Sequence, residues 1–401
     1  MVKYIQFLKE IFNMKVLLLD RPSFGQSDIM EVFEKRGYDV HLFSHEKLQE
    51  YNCQEFDRDF DNFVVGQDFT FAFSFNYYPS ISNGCNRNHI KYLAFVYDNP
   101  LVSLYSYTLI NPCNYVFLFD KACYLSFANE GIQTVHYLPL CANTKRLSNM
   151  SLSSDKRALV SSDVSFVGSL YNENHNFMDR MTTLDDYTKG YLDAIMNAQR
   201  QISGYYFIEE LLTPNILSAM KQALEYKTLP GGTESDSYIY AYYFIARKIT
   251  ALEREDFLTA VSEKYDTKLY THNPTPNLPH AKNMGPVDYY DVMPHIFKNS
   301  KINLNITLRS IRSGIPLRGF DIMGAEGFLL TNFQEDFLDF FIPGEDFAYY
   351  DGKDDLLEKI EYYLSHDKER KDIATNAFQK IHTEHTYEHR LDTMLEIAGI
   401  L

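Results

Sequence analysis

Short apolar strands separated by helix-sized intervals, in two successive series, constrain this chain more than any other feature of its sequence. The first series opens with VLLLD (16–20), a turn RPSFGQS, an amphipathic stretch DIMEVFEKR closed by Gly37, and a second strand VHLF. Ile29, Val32 and Phe33 share one helical face, Ser27 or Asp28 is placed to cap its start, and Gly37 suits its end. This is a βαβ unit. The rhythm continues through FTFAFSFNY, KYLAFVYDNP, NYVFLFD and VHYLPL, and then resumes with VSFVGSLY, TKLYTH, KINLNIT, GFLLTN and FAYYD. Such alternation predicts mostly parallel, doubly wound sheets.

Two series imply two domains, because 401 residues exceed what one hydrophobic core usually organises. Between the series, SNMSLSSDKRALVSSD is polar and poor in large apolar residues, as a linker should be. The expected organisation is a first domain over 1–145, a linker over 146–163 and a second domain over 164–385. The second domain carries a Tyr-rich helical insertion at about 176–264. A final helix over 386–401 has Tyr387, Leu391, Met394 and Leu395 in one apolar stripe, which needs a surface to cover.

The formal charge of −16 excludes a broad nucleic-acid-binding face, which needs clustered Lys and Arg, but leaves room for a few basic residues around one diphosphate. Cys53, Cys85, Cys113, Cys123 and Cys141 show no zinc-type spacing and suggest reduced buried thiols in a cytoplasmic protein. No apolar run reaches the roughly 20 residues of a membrane span. The opening MVKYIQFLKEIFN places Ile5, Leu8 and Phe12 at helical spacing, which suits either packing on its own domain or peripheral contact with a membrane surface.

Ligands of open α/β sheets collect beyond the carboxyl ends of the strands. Those ends carry Asp20, Asn76, Asp98 and Asp120 in the first series, and Gly168, His272 and the residues after Ile306 in the second. The segment ITLRSIRSGIPLRGFDIMGAEGFLLTN (306–332) holds Arg309, Arg312, Ser313, Gly314 and Arg318 before a short helix. A diphosphate needs approachable backbone N–H groups, a helix start and a fixed cation, and this loop has candidates for each. Asp321 is a candidate acceptor for ribose hydroxyls; the alternative is that the arginines are solvated and Asp321 complements the helix dipole. Asp98, at the end of KYLAFVY and before Asn99–Pro100, is a candidate general base or a cap of that turn. The first βα turn, DRPSFGQS, has one Gly where a dinucleotide fingerprint has three, which disfavours a dehydrogenase.

RGFDIMGAEGFLLTN resembles the donor-site segment of the CgeB-like glycosyltransferases, and the flanking MGPVDYYDVMPHIFKNSKINLNIT and YYLSHDKERKDIATNAFQKIHTEHTYEHRLDTML agree with it. FSFNYYPSIS, IKYLAFVYDNPL, NYVFLFD and VHYLPL resemble the N-terminal domain that accompanies such enzymes. The resemblance implies a GT-B fold, two Rossmann-like domains facing across a cleft, with the final helix over 386–401 returning to pack on the first domain. It implies transfer of a sugar, by a hexosyltransferase type of chemistry, from a nucleotide-diphosphate sugar, by default a UDP-sugar. The acceptor would be a glycan, lipid-linked or protein acceptor of the cell surface. No metal or other cofactor is implied, and no nucleic-acid partner.

By the same resemblance Arg318 contacts the diphosphate, Asp321 the ribose, and Gly168 lies where the first donor-domain strand meets the diphosphate. Arg312, Ser313 and Gly314 belong to the donor loop; His272, which ends TKLYTH, is a candidate donor contact, with a packed or surface residue as the alternative. Arg318→Ala is expected to cripple donor use with the fold intact. Many relatives carry Glu where this chain has Asp321, and IRSGI lacks the second Glu of retaining families, so the stereochemical outcome stays open. A sugar-nucleotide epimerase, a phosphorylase or a catalytically degenerate binding protein on the same shell are the alternatives.

Overall fold

A computed structural model describes residues 14–148, 152–153, 157, 159–173 and 176–401. The opening segment with Ile5, Leu8 and Phe12, and part of the polar linker, lie outside the described residues. The chain divides into two compact units. The first comprises Met1–Leu140, Lys227–Glu234 and Tyr387–Leu401; the second comprises Cys141–Tyr226 and Ser235–Thr386. Each is built on a parallel six-stranded sheet flanked by helices, a Rossmann-like α/β arrangement.

In the first unit the strands are β1 (Lys15–Leu19), β2 (Asp39–Phe43), β3 (Phe71–Phe75), β4 (Lys91–Val96), β5 (Asn114–Leu118) and β6 (Val135–Tyr137), in the order β2-β1-β3-β4-β5-β6. The longer helices between them are α1 (Gln26–Lys35), α2 (Gln54–Val64), α3 (Pro79–Arg87) and α4 (Lys121–Asn129). Every residue of β3 is buried because helices cover both faces of the sheet. Phe33 of α1 meets Phe71 and Phe73 edge-on from one side, while Ala72 shares a core with Phe56 and Phe60 of α2 on the other.

Neither Ser27 nor Asp28 caps α1: the cap is Gly25, at φ 87°, and both candidates lie inside the helix. A Cβ on Gly25 would fall 2.4 Å from the Tyr387 hydroxyl and 3.1 Å from that of Tyr97, so left-handed backbone and close approach both require glycine. Two later segments complete this unit. Thr233 N donates to Tyr105 O at 2.7 Å, and Gly232 bridges Ser106.

The second unit has β7 (Val164–Val167), β8 (Thr267–Tyr270), β9 (Lys282–Asn283), β10 (Ile302–Asn305), β11 (Leu329–Asn332) and β12 (Ala348–Tyr350), in the order β12-β11-β10-β7-β8-β9. Its longer helices are α5 (Asp186–Gln199), α6 (Pro214–Ala223), α7 (Ala246–Ser262), α8 (Leu317–Gly324), α9 (Gly352–Ser365) and α10 (Asp367–Glu384). A π-helical stretch, Ile239–Ile245, runs directly into α7. There Phe244 stacks on Phe177, and Tyr242 packs against Tyr206 and Tyr238.

The last helix, α11 (Tyr387–Ile397), belongs to the first unit. Its stripe of Tyr387, Leu391, Met394 and Leu395 is at most 2% exposed. Lys35–Glu388 and Arg36–Asp392 ion pairs bind it to α1, and Arg390 Nε donates to Pro139 O at 2.7 Å.

All five cysteines are free; Cys85 and Cys141 are buried, whereas Cys53, Cys113 and Cys123 are partly exposed, contrary to a uniformly buried set. Burial pushes the Cys113 thiol up to about 12, which makes it a poor nucleophile at neutral pH. Among the described residues no helix is long and apolar enough to cross a membrane.

Gly327, between α8 and β11, has no space for a side chain. A Cβ there would lie 2.7 Å from Phe297 O and 2.8 Å from Asn303 Nδ2. Gly327→Ala is expected to destabilise the second unit by roughly 1–3 kcal/mol through overpacking. Urea unfolding checks this; a wild-type midpoint would show that the backbone yields.

Candidate functional site

Chain order reverses around β7 in the second unit: β8 lies on one side of it and β10 on the other. The crevice beyond the carboxyl ends of β7 and β10 is the topological switch point, where open α/β sheets bind ligands. Gly168 follows β7 there, and a Cβ on it would meet the Phe166 ring at 3.6 Å and Arg254 Nη1 at 3.9 Å.

Arg254, from α7, occupies the same place. Its Nε donates to Ile306 O at 3.1 Å, Nη2 donates to the same carbonyl, and Nη1 donates to Ser169 O. The guanidinium therefore joins the chain just after β10 to the chain just after β7. It lies over the rings of Phe166 and Tyr171, 5.2 and 4.7 Å from their centroids, and is 7% exposed. Among the described residues no carboxylate pairs with it. Burial lowers its affinity for its proton, and the nearby charge of Arg318 acts in the same direction. A guanidinium remains protonated at neutral pH even so, so the switch point carries a fixed positive charge.

The loop after β10 is held by its own chain. Arg309 N donates to Thr250 Oγ1 at 2.9 Å, and Arg309 Nε reaches both oxygens of Glu253, at 2.9 and 3.0 Å. Glu253 is 3% exposed, so this arginine is committed to a buried pair and is not a solvated residue. Ser313 O accepts from Asp336 N, while Gln334 Nε2 donates to Ile311 O and Gly314 O. Arg312 lies over the Tyr242 ring at 5.8 Å. A cavity of about 200 Å³ adjoins the loop, with Glu253, Arg309, Asn332 and Tyr350 in its wall.

Arg318 and Asp321 lie on α8, three residues apart on one face. Asp321 is buried, accepting from Tyr289 Oη at 2.9 Å and from Arg318 Nη1 at 3.3 Å. Arg318 Nη1 also contacts Met293 Sδ, and the guanidinium lies over Phe297 at 5.4 Å. Both Arg318 contacts leave from Nη1; Nε and Nη2 keep their donors for another partner. Asp321 is the fifth residue of α8 and is buried, so it is not a surface residue complementing the helix dipole. His272 is two residues beyond the end of β8, exposed, with Nε2 3.4 Å from Glu173 Oε1.

In the first unit β1 is flanked by β2 and β3, which places a second switch point at the carboxyl ends of β1 and β3. Asn76 follows β3 at φ 61°, a left-handed conformation that Asn tolerates better than most residues. Its Oδ1 accepts from Tyr97 N at 2.9 Å and Asp98 N at 3.1 Å, and its Nδ2 donates to Asp98 Oδ2 at 2.8 Å. Asp98 is exposed and two residues past the end of β4, held by Asn76; Asn99 Nδ2 turns away to Asp120 Oδ2 at 3.0 Å.

The structure thus brings Gly168, Arg318 and Asp321 to the β7 and β10 side of one sheet with Arg254, a residue the sequence reading passed over. Arg254 lies in the Tyr-rich stretch, where nothing in the local pattern marks it. Among the described residues no three His, Cys, Asp or Glu side chains converge in a way that could hold a metal ion.

Residues 247–396 match a family described as glycosyl transferase-like. No curated protein matches the chain in sequence. Several solved structures are similar over nearly the whole chain. Sucrose-phosphate synthase from Thermosynechococcus elongatus has a TM-score of 0.54 at 12% identity, covering 96% of this chain and 98% of that one. Anabaena Alr3699/HepE in complex with UDP and glucose has a TM-score of 0.53 at 10% identity, covering 97% and 100%. The Escherichia coli trehalose-6-phosphate protein bound with UDP-2-fluoro glucose has a TM-score of 0.51 at 10% identity, covering 96% and 99%. At these identities the likeness is one of fold, and it agrees with the two-domain Rossmann-like architecture described above.

Proposed function

We propose that this chain is a CgeB-like glycosyltransferase of the GT-B type. It takes a hexosyl group from a nucleotide-diphosphate sugar and transfers it to a glycan, lipid-linked or protein acceptor. The observation that carries the reading is the fixed charge of Arg254 at the β7/β10 switch point, with Arg318 near enough to affect it, in a segment that matches a glycosyl transferase-like family. A leaving diphosphate gains one negative charge as the sugar C–O bond breaks, in a site that already holds cations, so those cations favour the transition state over the intact donor.

In this reading the remaining donors of Arg318 take a diphosphate oxygen, and the Asp321 carboxylate accepts from ribose hydroxyls. Gly168 and the Arg312-Ser313-Gly314 turn allow backbone to approach the phosphates, His272 contacts the donor at the rim, and Asp98 takes the acceptor proton. The cations serve the leaving group without a divalent metal. Cell-surface glycan as acceptor and a cytoplasmic location, with or without peripheral membrane contact, complete the proposal. UDP is the first nucleotide to test because Alr3699/HepE was solved with it.

A thermal-shift series with UDP, ADP, GDP and their sugars, in EDTA, tests the donor site. A ligand at 100 times its dissociation constant should stabilise the protein by about 2.7 kcal/mol. A nucleotide that shifts the melting temperature in EDTA supports the reading, whereas stabilisation that appears only with manganese contradicts its metal-free chemistry.

A further inference from the structure

Arg247, at the start of α7, is the most exceptional charge in the second unit. The chain as a whole carries a net −16, and four partly buried arginines of the second unit are tied to carboxylates: Arg200 to Asp256, Arg309 to Glu253, Arg318 to Asp321 and Arg370 to Asp367. Arg247 has none among the described residues. Its guanidinium lies 5.6 Å from the Tyr171 ring centroid and 5.3 Å from that of Tyr243, and its Nε is shielded from solvent without a hydrogen-bond acceptor.

Tyr171 links it to the switch point. That tyrosine sits four residues past the end of β7 at φ 55°, a strained conformation for an aromatic residue, and its ring is shared with Arg254. Arg247 and Arg254 are seven residues apart, two turns of α7, so they project from one helix face. One phenol ring therefore holds two guanidiniums that make no ion pair with a carboxylate among the described residues, beside the carboxyl end of the strand where ligands bind. Stacking on aromatic faces fixes a guanidinium's plane and leaves its edge donors for an anion.

We propose that Arg247, stacked between Tyr171 and Tyr243, is a phosphoryl-binding residue. The group it takes is either a phosphate of the nucleotide or a phosphate on the acceptor; the inference rests on the proposed function only for that choice of source. An uncompensated cation in a strongly acidic protein needs such a partner, and the planar fork matches phosphate oxygens bidentately.

The experiment is calorimetric titration of the wild-type protein and R247Q in metal-free buffer. The probes are inorganic pyrophosphate, UDP, and inorganic phosphate added over saturating UDP. A loss of about 10-fold or more in R247Q for UDP and pyrophosphate assigns the residue to the nucleotide, the size expected for a hydrogen bond to a charged group. Loss of phosphate binding over saturating UDP, with UDP affinity unchanged, assigns it to the acceptor. Wild-type affinity of R247Q for all three probes overturns the proposal. Should R247Q not fold, Arg247→Met, which keeps an apolar stem between the rings, is measured and judged by the same outcomes. If pyrophosphate binds in an Arg247-dependent way but UDP does not bind at all, the phosphoryl site stands and the donor reading fails.

Discussion

Asp98→Asn is expected to lower turnover by about 10² to 10⁴, the usual range for removing a general base, while nucleotide affinity and melting temperature stay near wild type. The geometry makes this variant informative. Asp98 is exposed, and its backbone N–H is held by Asn76 Oδ1 whatever the side chain. An asparagine at 98 can still present a carbonyl oxygen to Asn76 Nδ2, which now donates to Asp98 Oδ2 at 2.8 Å. The change therefore removes proton-accepting power while the contact with Asn76 can persist. Steady-state kinetics and thermal melting on one preparation separate the cases: near-normal turnover rules out the base, and a lowered melting temperature with normal turnover makes Asp98 a structural cap.

Arg318→Ala is expected to abolish measurable donor use and, contrary to the reading from sequence, to destabilise the fold. Asp321 is 4% exposed and loses the Arg318 charge, while the Tyr289 hydroxyl stays among its donors. Breaking a fully buried ion pair costs about 3–5 kcal/mol; with Arg318 22% exposed at its side chain, roughly 1–3 kcal/mol is the discounted expectation. Stability and binding are separable by the double substitution Arg318→Leu with Asp321→Leu, which removes the stranded charge. Denaturant unfolding should show the double variant more stable than Arg318→Ala, while nucleotide binding stays weakened by about 10-fold or more in both. Recovery of nucleotide binding in the double variant would remove both residues from the site.

The two sheets were legible because their central strands are buried on both faces, and burial on both faces writes itself as largely apolar runs such as VLLL and FAFSF. The same logic explains what was missed. β9 is an edge pair, Lys282–Asn283, exposed and polar, with no hydrophobic pattern to announce it. The cap of α1 was misassigned because Ser27 and Asp28 have capping chemistry, yet the position is decided by Tyr387 and Tyr97 crowding Gly25, a long-range contact.

The candidate site divides in the same way. Arg318 and Asp321 stand in a compact motif and could be named from sequence. Arg309, in the same loop, reads as one more basic residue until Glu253, on a helix far earlier in the chain, is seen to hold it. Arg247 and Arg254 lie in a tyrosine-rich helical stretch, where isolated arginines read as solvated. Their significance depends on Tyr171, Ser169 and Ile306, contributed by the loops after β7 and β10, and only the folded topology brings those loops to the same helix.

The most direct test of the donor site is a calorimetric titration of UDP in EDTA into the wild-type protein and into the Arg318→Leu, Asp321→Leu double variant. The account predicts one UDP per wild-type chain and an affinity reduced by about 10-fold or more in the folded variant, as expected for losing contacts to a charged group. Equal affinity in the two proteins, or no binding to the wild type, would contradict a donor site at the β7/β10 switch point.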